Sequence, residues 1–152
     1  KDGPSALLLS RQNLPFVKRE ALEGIRRGGY VISDAPWAKA VLIATGSEVQ
    51  LALAAQQRLD FPVRVVSMPS TTVFDRQDAA WREAVLPKGL PRVAVEAGVT
   101  DGWRKYVGAV DNPNGAVVGI DRFGESAPAP ELFKHFGFTP ENVANAVRSV
   151  LK

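Results

Sequence analysis

The chain has no cysteine and a single histidine among its 152 residues. That excludes a disulfide framework, a thiol nucleophile and a cysteine-ligated metal. It also leaves too little material for a structural zinc or a histidine-based triad of the usual kind. Lack of cysteine fits a reducing compartment. No apolar run approaches the ~20 residues of a membrane span, and no basic-then-apolar leader is visible. A preponderance of one sign of charge is missing too: 19 basic residues lie among 16 acidic ones, net +3, without the basic stripe that nucleic acid requires. The expected setting is cytoplasmic, with no membrane and no nucleic-acid partner. With 45% hydrophobic and 23% charged residues, the composition is that of one globular unit with a real core.

The run Val41-Leu42-Ile43-Ala44 ends in Thr45-Gly46-Ser47, and a helical pattern starts at once. This reads as a buried parallel strand feeding its crossover helix. Ser47 and Gln50 have capping-box spacing. Apolar residues around most of the following helix place it against a sheet. The same plan recurs. Strands are expected at 63–68, 92–96 and 116–120, with a brief one at Tyr30-Val31-Ile32-Ser33. Asp75 is expected to cap a helix through Trp81 and Val85, and residues 103–107 and 131–136 to form helical turns. Thr139 and Pro140 mark the start of the last helix, whose Val143, Val147, Val150 and Leu151 share a face. The fold class is α/β: three layers, a mostly parallel sheet with helices on both faces, joined by right-handed crossovers.

Residues 1–10, with Ser5-Ala6-Leu7-Leu8-Leu9, read as a short buried strand with no earlier strand to pair with. That, and Lys rather than Met at position 1, is expected of a chain cut from something longer. A short helix is expected within 18–27, stopped by Gly28-Gly29. Trp37 is a candidate anchoring aromatic in the turn that follows. The domain division expected is 1–38, a linker segment, and 39–152, the α/β unit.

Few residues offer chemistry. Arg11 follows the carboxyl end of the first expected strand, where ligands sit in open parallel sheets, and its planar donors suit a phosphate or carboxylate. From the bare sequence, an arginine salt-bridged at a surface turn is the simpler reading. Thr45-Gly46-Ser47 can offer amides to an anion, but it lacks both the Gly-x-Gly-x-x-Gly and the Lys-Ser/Thr signatures, and Glu48 would repel the anion. A plain turn and cap is the simpler reading. Glu96 ends a strand and Glu125 lies in the Gly-Glu-Ser loop, yet nothing in the sequence brings them together. His135 has no partner cluster and reads as a surface or packing residue; Trp37, Trp81 and Trp103 read as packing anchors.

The wording of several stretches is more specific than their pattern. Leu9-Ser10-Arg11-Gln12-Asn13-Leu14, Arg27-Gly28-Gly29-Tyr30-Val31, Ile43-Ala44-Thr45-Gly46-Ser47-Glu48-Val49, Val65-Val66-Ser67-Met68-Pro69-Ser70, Val93-Ala94-Val95-Glu96-Ala97-Gly98 and Phe123-Gly124-Glu125-Ser126-Ala127-Pro128 occur in this order. Together they resemble the C-terminal portion of a bacterial-type transketolase. Val110-Asp111-Asn112-Pro113 departs from that pattern as a small insertion.

The resemblance implies an origin of 1–38 in the tail of the pyrimidine-binding domain and of 39–152 in the C-terminal domain. It implies a transferase of the pentose phosphate pathway, moving a two-carbon ketol unit between sugar phosphates with thiamine diphosphate and Mg2+ (or Ca2+). The cofactor site is implied in upstream domains and across a homodimer interface. This chain shows no Gly-Asp-Gly…Asn magnesium motif, no catalytic histidine set and no cofactor-activating glutamate. No catalytic, cofactor-binding or metal residue is therefore expected here, and the chain alone is expected to be inert. By the same resemblance Arg11 matches the arginine that grips the substrate's terminal phosphate, with Ser10 and Gln12 as weaker neighbours. The α/β unit is then expected to support domain packing and the dimer. The alternative is a regulatory module that binds a small anion at the Thr45-Gly46-Ser47 and 123–130 loops.

Overall fold

The computed structural model describes residues 3, 4, 6, 9–17, 22–108 and 114–151. Its centre is a five-stranded sheet: β1 (Tyr30–Ser33), β2 (Ala40–Ala44), β3 (Val63–Ser67), β4 (Arg92–Val95) and β5 (Gly115–Val118), in the order β1-β3-β2-β4-β5. Strands β2 to β5 are parallel, and β1 runs antiparallel along the outer edge of β3. All five residues of β2 are fully buried, as a central strand covered on both faces requires.

Side-chain alternation sorts the core into two halves. Ala40, Leu42 and Ala44 face α2 (Glu48–Gln56) and α7 (Pro140–Ser149), packing with Val65, Val95, Val143 and Val147. Val41 and Ile43 face the other way, toward Met68, Phe74, Val85, Trp103 and Tyr106. Those come from the turn after β3 and from α3 (Thr71–Asp75), α4 (Ala79–Val85), a 3-10 turn at Asp101–Trp103 and α5 (Arg104–Val107). The split follows from connectivity. The chain moves outward from β2 to β3, then crosses back to β4 and on to β5. Reversing direction moves the connecting helices to the opposite face. The remaining helices, α1 (Glu23–Arg26) and α6 (Ala129–His135), are short. The three-layer expectation holds, as do the four parallel strands to within two residues at their ends.

Four local expectations are corrected. Ser47 does not form the capping box: its backbone is already helical (φ −65°, ψ −24°), and its hydroxyl donates to Glu48 Oε1 at 2.6 Å. Asp75 does not cap α4. An extra short helix, α3, is capped by Ser70 through Val73 N, and Asp78 caps α4 through Trp81 N at 2.7 Å. Trp37 is no anchor; it stands 92% exposed at φ 60°, while Trp81 and Trp103 do pack. No strand forms at the described residues among 1–10, and Leu9 is 79% exposed. With no partner strand at hand, their amides and carbonyls have no ladder to join. The rest of that run, the part of the expected N-terminal helix at 18–21 and the Val110–Pro113 insertion lie outside the described residues.

A bidentate clasp was not foreseen. Arg64 on β3 donates Nε and Nη2 to the two carboxylate oxygens of Asp34, each at 2.9 Å, and Nη1 to Ala84 O at 2.6 Å. It ties the end of β1 to β3 and α4, and holds the Asp34 carboxyl below the usual carboxylate range.

Candidate functional site

The order of the parallel strands reverses between β2 and β4, so the loops leaving their carboxyl ends diverge and open a crevice. Its volume is about 350 Å³, and its walls include Thr45 after β2, Met68, Ser70 and Thr71 after β3, and Glu96 and Trp103 after β4. Trp103 is buried and donates its indole N–H to Glu96 Oε2. Its ring lies 5.8 Å from that of Tyr106. The loop beyond Glu96 is braced from β5's side: Asp121 accepts from Thr100 N at 2.9 Å and Thr100 Oγ1 at 2.8 Å, and Ile120 N donates to Gly98 O at 2.8 Å. Those two donors hold the Asp121 carboxyl below its ordinary range. The crevice is thus a rigid wall of hydroxyls around one carboxylate. Among the described residues, no lysine or arginine lines it. Such a set accepts hydrogen bonds from neutral or cationic groups and repels phosphate.

Glu48, at the start of α2, is only 4% exposed. Burial pushes its carboxyl up; the Ser47 hydroxyl and the Glu48 and Ala97 amides act the other way, and the charge of Glu96 adds to the rise. The folded state therefore holds this proton more tightly than the unfolded chain. The stability this brings is complete below the unfolded value, about 4.3, and is lost as pH rises through the folded one. Glu48→Gln removes the titration. In thermal unfolding the variant should match or exceed the parent near neutral pH, and that advantage should shrink as the pH is lowered toward 4. A difference in melting temperature that does not change with pH would refute the assignment.

Other sequence candidates fall elsewhere. Glu125 does not join Glu96; with Arg122 it flanks His135, whose Nε2 lies 2.8 Å from Arg122 Nη2 and 3.2 Å from Glu125 Oε1. His135 is an exposed surface residue, as its sequence context suggests, with its ring edge-on to Phe136. Gly46 sits at φ 53° with open space around it, in the turn between β2 and α2. Arg11 is exposed and makes no hydrogen bond or ion pair with the described residues. The Glu96–Trp103 pair was missed: seven residues apart and in different elements, the two show no sequence signal of their contact.

This architecture matches known proteins closely. Residues 28–139 match the family model described as the transketolase-like TK C-terminal domain. The chain is 56% identical to Transketolase 1 of Escherichia coli (strain K12), across 99% of this chain and 23% of that protein. It is 54% identical to Transketolase 1 of Vibrio cholerae, with the same two coverages of 99% and 23%. It therefore spans about a quarter of the length of these curated relatives. Among solved structures, transketolase from Leishmania mexicana superposes with a TM-score of 0.85 at 44% identity, over 93% of this chain and 20% of that one. A structure described as a split-gene transketolase, an inactive beta4 tetramer, does so with a TM-score of 0.64 at 25% identity, over 93% and 48%. A five-stranded α/β sheet of this order, matched over its length by such relatives, places the chain in the transketolase family, where it carries the C-terminal domain.

Proposed function

We propose that this chain serves a transketolase, a transferase that moves a two-carbon ketol unit between sugar phosphates. The observation that carries the reading is 56% identity to a transketolase across 99% of the chain. The α/β domain acts as a scaffold, packing on upstream domains of the same polypeptide and supporting a homodimer in the cytoplasm. Residues 1–38 end the pyrimidine-binding domain and 39–152 form the C-terminal one, with β1 reaching from the first segment into the sheet of the second. No helix among the described residues is long and apolar enough to cross a membrane.

Thiamine diphosphate and its divalent metal belong to the whole enzyme in this reading. The described residues do not fit them: the crevice offers a carboxylate and hydroxyls to a diphosphate that needs cations. No group of three or more His, Cys, Asp or Glu able to hold a metal occurs among them either. No step of ketol transfer is therefore assigned to this chain. Its one contribution to substrate binding is Arg11, exposed and uncommitted to a described partner, which grips the terminal phosphate. The isolated 152-residue chain, supplied with thiamine diphosphate, Mg2+ and a ketose–aldose phosphate pair, is expected to form no product. Turnover above a protein-free blank would overturn that. The inactive tetramer described for the split-gene relative is in keeping with it.

The second reading, a module that binds a regulatory anion at the Thr45-Gly46-Ser47 and 123–130 loops, loses support from the crevice chemistry. Among the described residues, the carboxyl edge of β2 and β4 presents Glu96 and buried Glu48 rather than lysine or arginine.

A further inference from the structure

A concentration of positive charge among the described residues surrounds a cavity away from the crevice, beside α3, α4, α5 and the first residue of β4. The cavity has a volume of about 630 Å³, within the range of small-molecule sites. Phe74, Leu86 and Tyr106, nearly buried, provide its apolar surface. Four cations line it, Arg82, Lys88, Arg92 and Lys105, against two carboxylates, Asp75 and Glu83.

Their pairing is uneven. Lys105 Nζ meets Asp75 Oδ2 at 2.7 Å, and Lys88 Nζ lies 3.6 Å from Glu83 Oε2, so these pairs balance. Arg92 is held by neutral groups: Nη1 donates to Tyr106 O, and Nη2 to Leu86 O and Pro87 O, each at 3.0 Å. Three carbonyls fix the guanidinium without neutralising it. The Arg82 side chain is exposed and makes no hydrogen bond or close ion pair with a described residue, though its charge acts on Asp75 through space. Glu83 also acts on Arg92 through space, so the two carboxylates are shared among four cations and the lining keeps an excess of two positive charges, with Arg92 held in place and Arg82 exposed. Tyr106 keeps its own proton: burial, then Asp75, push its phenol up to about 12, and its hydroxyl donates to Asp75 Oδ1 at 2.9 Å.

We propose that this cavity is a binding site for a small organic phosphate dianion, its charge set between Arg82 and Arg92 and its apolar body against Tyr106 and Phe74. The site is separate from the ketol-transfer reading and does not depend on it.

Phenyl phosphate is the probe. It is titrated calorimetrically into the 152-residue chain at constant ionic strength, buffered above the second phosphate ionisation. Saturable one-to-one binding is expected. Arg82→Gln, an exposed change that disturbs no bond, should weaken it about fivefold. Glu83→Gln should tighten it, because a repelling charge goes while the acceptor for the Lys88 amide stays. Arg122→Gln and Arg11→Gln should leave it unchanged. Absence of saturation overturns the proposal. So does equal weakening by Arg122→Gln, which would mean general charge attraction, or loss with Arg11→Gln, which would move the anion to the N-terminal segment. Inorganic phosphate binding as tightly as phenyl phosphate would overturn the apolar half of the assignment.

Discussion

Gly28→Ala is expected to destabilise the chain by about 3 kcal/mol and to lower its melting temperature by about 10 °C. Two costs meet at this position. The backbone sits at φ 80°, where an L-residue pays roughly 1–2 kcal/mol. An added Cβ would also lie 2.5 Å from the Phe74 amide nitrogen and closer still to the Ser70 carbonyl oxygen. Backbone cannot move aside as a long side chain can. The surroundings are fixed as well, since Gly28 N donates to Ile25 O and Ser70 N donates to Gly28 O, both at 3.0 Å.

Two neighbouring cases separate these costs. Gly46 shares the left-handed backbone, at φ 53°, but has open space where a Cβ would go. Gly46→Ala should cost only the conformational part, about 1 kcal/mol. At Gly29 the crowding comes from side chains, with Met68 Sδ at 2.6 Å and Phe74 Cδ2 at 2.7 Å from an added Cβ. A thioether yields more readily than a carbonyl, so Gly29→Ala should fall between the two. Chemical denaturation of all three variants reads the order directly. A Gly28 variant no worse than the Gly46 variant would contradict it.

Arg11→Ala in the complete enzyme is expected to raise KM for phosphorylated sugars by ten- to a hundredfold. Charge-assisted hydrogen bonds to a phosphate contribute about 1.5–3 kcal/mol, and each 1.4 kcal/mol is a factor of ten. The exposed side chain has no bond to a described residue to lose, so the substitution should not disturb folding. Because a terminal phosphate is gripped equally before and during reaction, kcat should change little. Unphosphorylated sugars supply the control: their KM should move much less. Equal loss with both substrate classes would assign Arg11 to structure instead.

Legibility in the sequence followed burial. Strands β2 to β4 are short, largely apolar runs covered on both faces, and β5, half-buried at the sheet edge, is an apolar run bounded by a turn signal, so their position hardly depends on neighbours. Helix α7 announces itself with Thr139 and Pro140, and Thr139 does accept from Asn142 N. Ambiguity entered where several residues were competent for one task. Ser70, Asp75 and Asp78 can each cap a helix. What selected among them was a contact thirty residues away, the bonds of Asp75 to Lys105 and Tyr106. Nothing in Tyr30-Val31-Ile32-Ser33 signals an antiparallel partner; its pairing with β3 decides that. The site was the least legible part. Glu96 and Trp103 meet only through the packed sheet, and Arg11 stood out by resemblance rather than by any geometry a local pattern can express.

The antiparallel course of β1 sets the route by which the chain arrives. Tyr30 pairs with Ser67, the last residue of β3, so the polypeptide comes in over the carboxyl edge and leaves β1 at the amino edge. A parallel first strand would have delivered it to the opposite side. The doorway residue, Gly28, is bonded to Ser70, which is also part of the crevice wall. A tug on the polypeptide ahead of Gly28 therefore reaches that wall through one peptide hydrogen bond, alongside the contacts of Arg27 with Trp81 and of Gly24 with Tyr30.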